Sequence, residues 1–96
     1  MKNISIQKFL TETNIQLIDV REPYEHKTGN IGGINIPMDK IFESINLISH
    51  TKKVIIYCQS GRRASAVVYM LTKKYNLKNI INLNGGYEAY LNHKLN

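Results

Sequence analysis

Short apolar runs alternate along this chain with stretches of helical spacing. Ile15 to Val20 (IQLIDV), Val54 to Tyr57 (VIIY) and Ile80 to Leu83 (IINL) read as buried strands. Ile34 to Pro37 reads as a shorter extended piece stopped by its proline. Between them the period changes. Ser5 can cap a short helix from Ile6 to Leu10, with Ile6, Phe9 and Leu10 facing inward. Arg21 to Lys27 predicts a second short helix with Pro23 in its first turn. Asp39 to Ile48 carries Ile41, Ile45 and Ile48 at helical spacing. Ala64, Val67, Val68, Leu71 and Tyr75 mark one face of a longer helix, with Asn76 as its stop. Tyr87 to Leu95 forms the last. Gly29–Gly33 and Asn84–Gly86 are the clearest breakers. Strands alternating with helices predict an α/β fold, a mainly parallel sheet covered on both faces.

Composition narrows the class. Ninety-six residues predict one compact domain spanning 1–96. The single cysteine excludes an internal disulfide framework, a CxxC redox pair and a cysteine-based zinc site. It also suits a reducing compartment, which makes a cytoplasmic location the expectation. Met1 to Leu10 lacks the apolar core of a signal peptide, and no apolar run approaches membrane-spanning length. The net charge of +6 is spread as pairs such as Lys52-Lys53 and Lys73-Lys74 rather than as one stripe. With no basic–aromatic repeat, Tyr69, Tyr75, Tyr87 and Tyr90 read as packing residues, and nucleic acid is not an expected partner. His26, His50 and His93 have no ligand spacing and read as surface histidines.

The candidate chemistry sits where the central strand gives way to the long helix. Cys58-Gln59-Ser60-Gly61-Arg62-Arg63 places the thiol at a strand end, before a glycine-containing loop and a helix N-terminus. Ligands of open α/β sheets bind at such strand ends, and helix N-termini present free N–H groups and a positive dipole end. A lone cysteine at the end of a buried strand can equally be a small apolar filler. A filler, however, needs neither Gly61 nor adjacent cations, so position, loop composition and charge favour a reactive thiolate at Cys58.

Four stretches resemble the single-domain rhodanese-like sulfurtransferases. Ile18-Asp19-Val20-Arg21-Glu22-Pro23-Tyr24-Glu25 resembles the DVRE…E signature, and Cys58 to Ala64 resembles the catalytic CxxGxR[SA] loop. Asn30 to Pro37 is similar to a GHIxGAxNIP segment, one residue shorter and with Asn30 in place of histidine. This NIGGxxIP form is similar to domains fused to ubiquitin-activating-type enzymes that sulfurate small carrier proteins. Leu83 to Tyr90 is similar to the L-x-GG-x-x-x-W ending, with Tyr90 at the tryptophan position. The resemblance implies the small three-layer rhodanese-like fold and transfer of a sulfane sulfur through a persulfide on Cys58. It implies that Gln59, Ser60, Gly61, Arg62 and Arg63 form the persulfide loop, the two arginines attracting a small anionic donor such as thiosulfate. Asp19, Arg21 and Glu25 would support that loop, Arg21 and Glu25 bracing it rather than forming an idle surface pair. The acceptor would be cyanide, a thiol or a sulfur-carrier protein, and the reaction would need no metal or organic cofactor.

Two other functions fit parts of the pattern. A rhodanese-like module could carry sulfur or bind a protein without turnover. Cysteine phosphatases of similar shape use a longer loop: here Arg63 follows Cys58 with four residues between, one fewer than in those enzymes. The shorter ring of N–H groups suits one sulfur atom better than a phosphate.

Overall fold

The computed structural model describes residues 1–95. Its elements run β1 (Asn3–Ile4), α1 (Ile6–Phe9), β2 (Gln16–Asp19), α2 (Pro23–Thr28), β3 (Ile34–Asn35), a 3-10 helix (Met38–Leu47), β4 (Val54–Tyr57), α3 (Arg62–Tyr75), β5 (Ile80–Leu83) and α4 (Gly86–Leu95). The five strands form one sheet in the order β1-β5-β4-β2-β3, with every pairing parallel. β4 is central and buried along its whole length, which explains its unbroken apolar run. Its side chains alternate between two cores. Val54 and Ile56 join Val67, Val68 and Leu71 of α3 and Ile41 and Ile48 of the 3-10 helix. Ile55 and Tyr57 join Ile6 and Phe9 of α1, with Tyr87 and Tyr90 of α4 packed against them. The α/β reading with helices on both faces is therefore correct.

The connections leaving the two middle strands run in opposite directions. From β2 the chain goes outward to β3, and from β4 it goes the other way to β5. The carboxyl ends of β2 and β4 thus flank the switch point of the sheet, where such folds open a crevice. Asp19 ends one strand, Cys58 follows the other, and the Val20 amide donates to the Tyr57 carbonyl across the gap (2.9 Å).

Four local expectations change. Met38–Leu47 is a 3-10 helix, not an α-helix, with a break at Ser44 (φ −116°, ψ 20°) whose hydroxyl donates to the Lys40 carbonyl. Over ten residues an isoleucine spacing of four then three serves either period, and β-branched side chains weaken the α form. The first helix stops at Phe9, leaving Leu10 49% exposed instead of inward. Arg21 lies outside α2, which begins at Pro23. Strand β1 has no signal in its two polar-flanked residues and forms only by pairing with β5 at Asn3↔Asn82 and Ile4↔Leu83.

Candidate active site

Cys58 leaves β4 on the α3 face of the sheet, and its side chain is 1% exposed. The loop then doubles back so that two backbone amides face its sulfur: Gly61 N–H at 3.1 Å and Ala64 N–H at 3.3 Å. Gly61 adopts φ +102°, the left-handed region that favours glycine. The next amides, of Arg62 and Arg63, open α3 and have no acceptor within the helix. The loop therefore gathers N–H groups around the sulfur, the arrangement that stabilises a negative charge.

The turn Gly85-Gly86 supports this loop from beneath. Gly86 sits at φ +56°, and a Cβ there would fall on the Cys58 carbonyl. That close approach lets Tyr87 N–H donate to the Cys58 carbonyl (2.8 Å) and Glu88 N–H to the Gln59 carbonyl (3.0 Å). The glycine pair is thus a tight turn at the site, as its sequence suggests.

One flank of the loop is held by a chain of charges. Asp19 and Arg21 are both buried, at 0% and 2% exposure. Arg21 donates from Nε and Nη2 to the Asp19 carboxylate (2.8–3.1 Å), and its backbone N–H reaches Asp19 Oδ1 at 2.9 Å. Its remaining donors reach the Gln59 Oε1 (3.2 Å) and the Gly29 carbonyl (2.7 Å). The guanidinium also lies over the Tyr87 ring, 4.6 Å from its centroid. Burial pushes the Asp19 carboxyl up, but the hydrogen bonds from Arg21 and His26 outweigh it and hold the group below the usual range. Arg21 likewise loses to burial and gains more from Asp19, so it stays firmly charged. Glu25 works separately. Its two oxygens take Nη1 and Nη2 of Arg63 at 2.8 and 3.0 Å, and its Oε1 also accepts the Glu22 N–H. The Arg63 hydrogen bonds are the main reason that the Glu25 carboxyl falls to about 2. Arg63 is raised in turn, first by Glu25.

Arg21 and Glu25 are brought to the same loop but not to each other, since each has its own partner. Arg63 is committed to Glu25, whereas Arg62 is exposed and makes no ion pair or hydrogen bond among the described residues. Ser60 is exposed beside it. His26 is not an idle surface histidine: α2, which starts four residues after β2 ends, folds back over the strand end and brings its Nδ1–H to 2.8 Å from Asp19 Oδ2. Three more residues escaped sequence reasoning. Asn35 donates from Nδ2 to the carbonyls of Asp19 and Arg21, both at 2.9 Å, and so fixes the end of β2. Tyr57 anchors the Gly29–Gly33 breaker by donating to the Gly32 carbonyl and accepting from the Ile31 N–H. Burial raises its phenol to about 12 and keeps it neutral. Tyr87 supplies the ring beneath Arg21. A polar group inside an apolar extended run was the signal available for Tyr57 and for Asn35, which lies between Ile34 and Ile36; Tyr87 offered none.

Comparison with known proteins identifies relatives of this chain. A family model described as the rhodanese-like domain matches residues 5–93. A protein of Allochromatium vinosum named sulfurtransferase is 33% identical over 94 residues, covering 95% of this chain and 86% of its own. The uncharacterized protein YqhL of Bacillus subtilis is 38% identical over 93 residues, 88% of this chain and 73% of that one. A rhodanese-related protein from Thermoplasma volcanium superposes with a TM-score of 0.88 at 28% identity, covering 97% of this chain and 93% of its own. With a family model over residues 5–93 and a relative 33% identical that it matches over 86% of that protein's length, the chain belongs to the rhodanese-like domain family.

Proposed function

We propose that this protein is a sulfurtransferase that carries a sulfane sulfur as a persulfide on Cys58. The observation that carries the reading is the pair of amides, Gly61 N–H and Ala64 N–H, aimed at the Cys58 sulfur from a loop braced on its far side. In the first half-reaction the Cys58 thiolate attacks the outer sulfur of a donor such as thiosulfate. A bond forms between Sγ and that sulfur. The donor's own S–S bond breaks, and sulfite leaves with the electron pair. The terminal sulfur of the resulting persulfide carries negative charge, which the loop amides stabilise without reorganising. In the second half-reaction an acceptor thiolate or cyanide attacks the terminal sulfur, and Cys58 departs as thiolate. Cys58 is the only cysteine of these 96 residues, so no second thiol among them competes for the sulfur.

The test is intact mass before and after thiosulfate, alongside Cys58→Ser. The expected result is a gain of one sulfur atom, reversed by cyanide and absent in the variant. No gain with thiosulfate or with a persulfide donor would overturn the reading. Phosphate release from an aryl phosphate, lost in Cys58→Ser, would replace it with a phosphatase.

A further inference from the structure

The end of the sheet opposite Cys58 gathers six lysines. All strand pairings are parallel, so the residues that lead into the strands share one end. Lys2 leads into β1, Lys52 and Lys53 into β4, and Lys78 into β5, while Lys73 and Lys74 occupy the last turn of α3, which descends to the same end. Pairs that lie apart in the sequence thus converge. β1, β5 and β4 are neighbours, so their three entries span about 10 Å. Lys2 Nζ donates to the Lys78 carbonyl (2.6 Å), and Asn79 donates from Nδ2 to the Lys52 carbonyl (2.7 Å). Glu12, held by Lys53 at 2.7 Å and 3.8 Å from Lys8, is the one carboxylate at this end among the described residues. Asp19, Glu22, Glu25, Asp39 and Glu88 follow the carboxyl ends of strands, and Glu43 pairs with Lys40. The dipole of α3 accounts for cations at Lys73 and Lys74 but not for those at the strand entries. The side chains of Lys52, Lys73 and Lys78 make no ion pair or hydrogen bond among the described residues.

A second, independent feature lies within this charge. An apolar cleft of about 310 Å³ is lined by Met1, Lys2, Thr72, Leu77, Lys78 and Ile80. The buried Leu77 and Ile80 give it an apolar floor, and the exposed Lys2 and Lys78 add ammonium groups to its lining. Such a hollow has room for one aliphatic side chain. The chemistry separates the partners that a basic surface can have. All three arginines, Arg21, Arg62 and Arg63, lie at the other end of the sheet, so this surface lacks the planar fork best suited to phosphates. A lipid surface is entered by projecting apolar groups, and Met1 is the one exposed apolar side chain of the lining, too little for a stable anchor. A protein segment that carries carboxylates around an apolar side chain matches both the charge and the hollow.

We propose that this end of the molecule docks an acidic segment of a partner protein, with one apolar side chain seated on Leu77 and Ile80 and carboxylates beside Lys2, Lys52, Lys73 and Lys78. Complementary charge speeds the encounter and sets the orientation, and burial of the apolar side chain supplies the holding energy. Cys58 lies at the opposite end of β4, so a docked partner leaves its loop open. None of the docking residues belongs to that loop, and the proposal stands whether or not Cys58 carries sulfur.

The experiment titrates isotope-labelled protein at low salt with a peptide, blocked at both termini, that has one leucine between two runs of three carboxylates. The amide resonances of Lys2, Lys52, Lys73, Leu77 and Lys78 are expected to shift, while those of Gln59 to Arg63 stay in place. Serine in place of the peptide's leucine should weaken binding about tenfold, the worth of one buried aliphatic side chain. Lys78→Glu should also weaken it about tenfold, since an attraction becomes a repulsion. Lys27→Glu makes the same change of net charge on α2, at the other end of the sheet, and should weaken binding less than about twofold. Four results would each overturn the proposal: no shift at the lysine end, equal binding of the serine and leucine peptides, equal weakening by Lys78→Glu and Lys27→Glu, or tighter binding of single-stranded DNA or of phosphatidylserine vesicles than of the peptide.

Discussion

The two flanks of the Cys58 loop are built on opposite plans. On one side the charged groups nearest the loop are paired, Arg21 with Asp19 and Arg63 with Glu25, and His26 hydrogen-bonds Asp19. On the other, Arg62 stands exposed over a cleft walled by serine and asparagine side chains. Adjacent arginines thus take different positions, because successive residues in a helix point about 100° apart. Arg63 faces α2 and becomes part of the scaffold, while Arg62 faces the cleft. Rigidity on one flank and free charge on the other is the division of labour expected of a loop that must keep its amides aimed while admitting an anion.

Disabling the buried half of the braced flank should break the contrast most severely. Asp19→Asn removes the charge that compensates Arg21, and breaking a buried pair in this way costs about 3–5 kcal/mol. Urea unfolding should report that loss; a change near zero would show that Arg21 finds another partner. Gly86→Ala attacks the support beneath the loop. Its Cβ would strike the Cys58 carbonyl from a left-handed backbone position, a cost of about 2–3 kcal/mol. Sulfur uptake should fall with it, since the Cys58–Gln59 peptide must move.

The Glu25–Arg63 pair is smaller in effect and sharper in diagnosis. A double-mutant cycle with Glu25→Gln and Arg63→Gln should give a coupling of about 1–2 kcal/mol, reduced from a fully buried value because the Arg63 side chain is about a third exposed. The folded Glu25 carboxyl lies at about 2 against an ordinary 4.5, so the unfolded state binds more protons in between. Its contribution is complete above about pH 4.5 and is lost as pH falls through about 2. The stability gap between wild type and Glu25→Gln should therefore hold steady from neutral pH to about 5 and close below it. A gap that does not change with pH would remove Glu25 from the brace. At the bottom of the scale, Arg62→Gln should alter stability by no more than about 0.5 kcal/mol, as expected for an exposed, unpaired side chain. A larger loss in thermal unfolding would mean that the open flank is structural after all.

Much of this arrangement is legible in the chain. The runs VIIY and IINL read as buried strands, and the switch from an unbroken apolar run to helical spacing after Cys58 places the thiol at a strand end. Hydrophobic periodicity is a local property, so it survives in one dimension. The loop residues Gln59 to Arg63 and the support residues Asp19, Arg21 and Glu25 are likewise visible as motifs. Their pairing is not. Glu25 and Arg63 are thirty-eight positions apart, as are Arg21 and Gln59, and each contact exists only because β2 and β4 lie side by side. Strand β1 is invisible for the same reason: two residues become a strand only when β5 offers its edge.

By itself, then, the sequence determined the layer order, the position of the thiol and the sign of the charge around it, all of which depend on neighbours in the chain. Only the tertiary structure decided that, among the described residues, Arg63 is bound and Arg62 is not, and that His26 serves the buried carboxylate. Those outcomes depend on distances between side chains from separate strands and helices, and folding the sheet is what sets them.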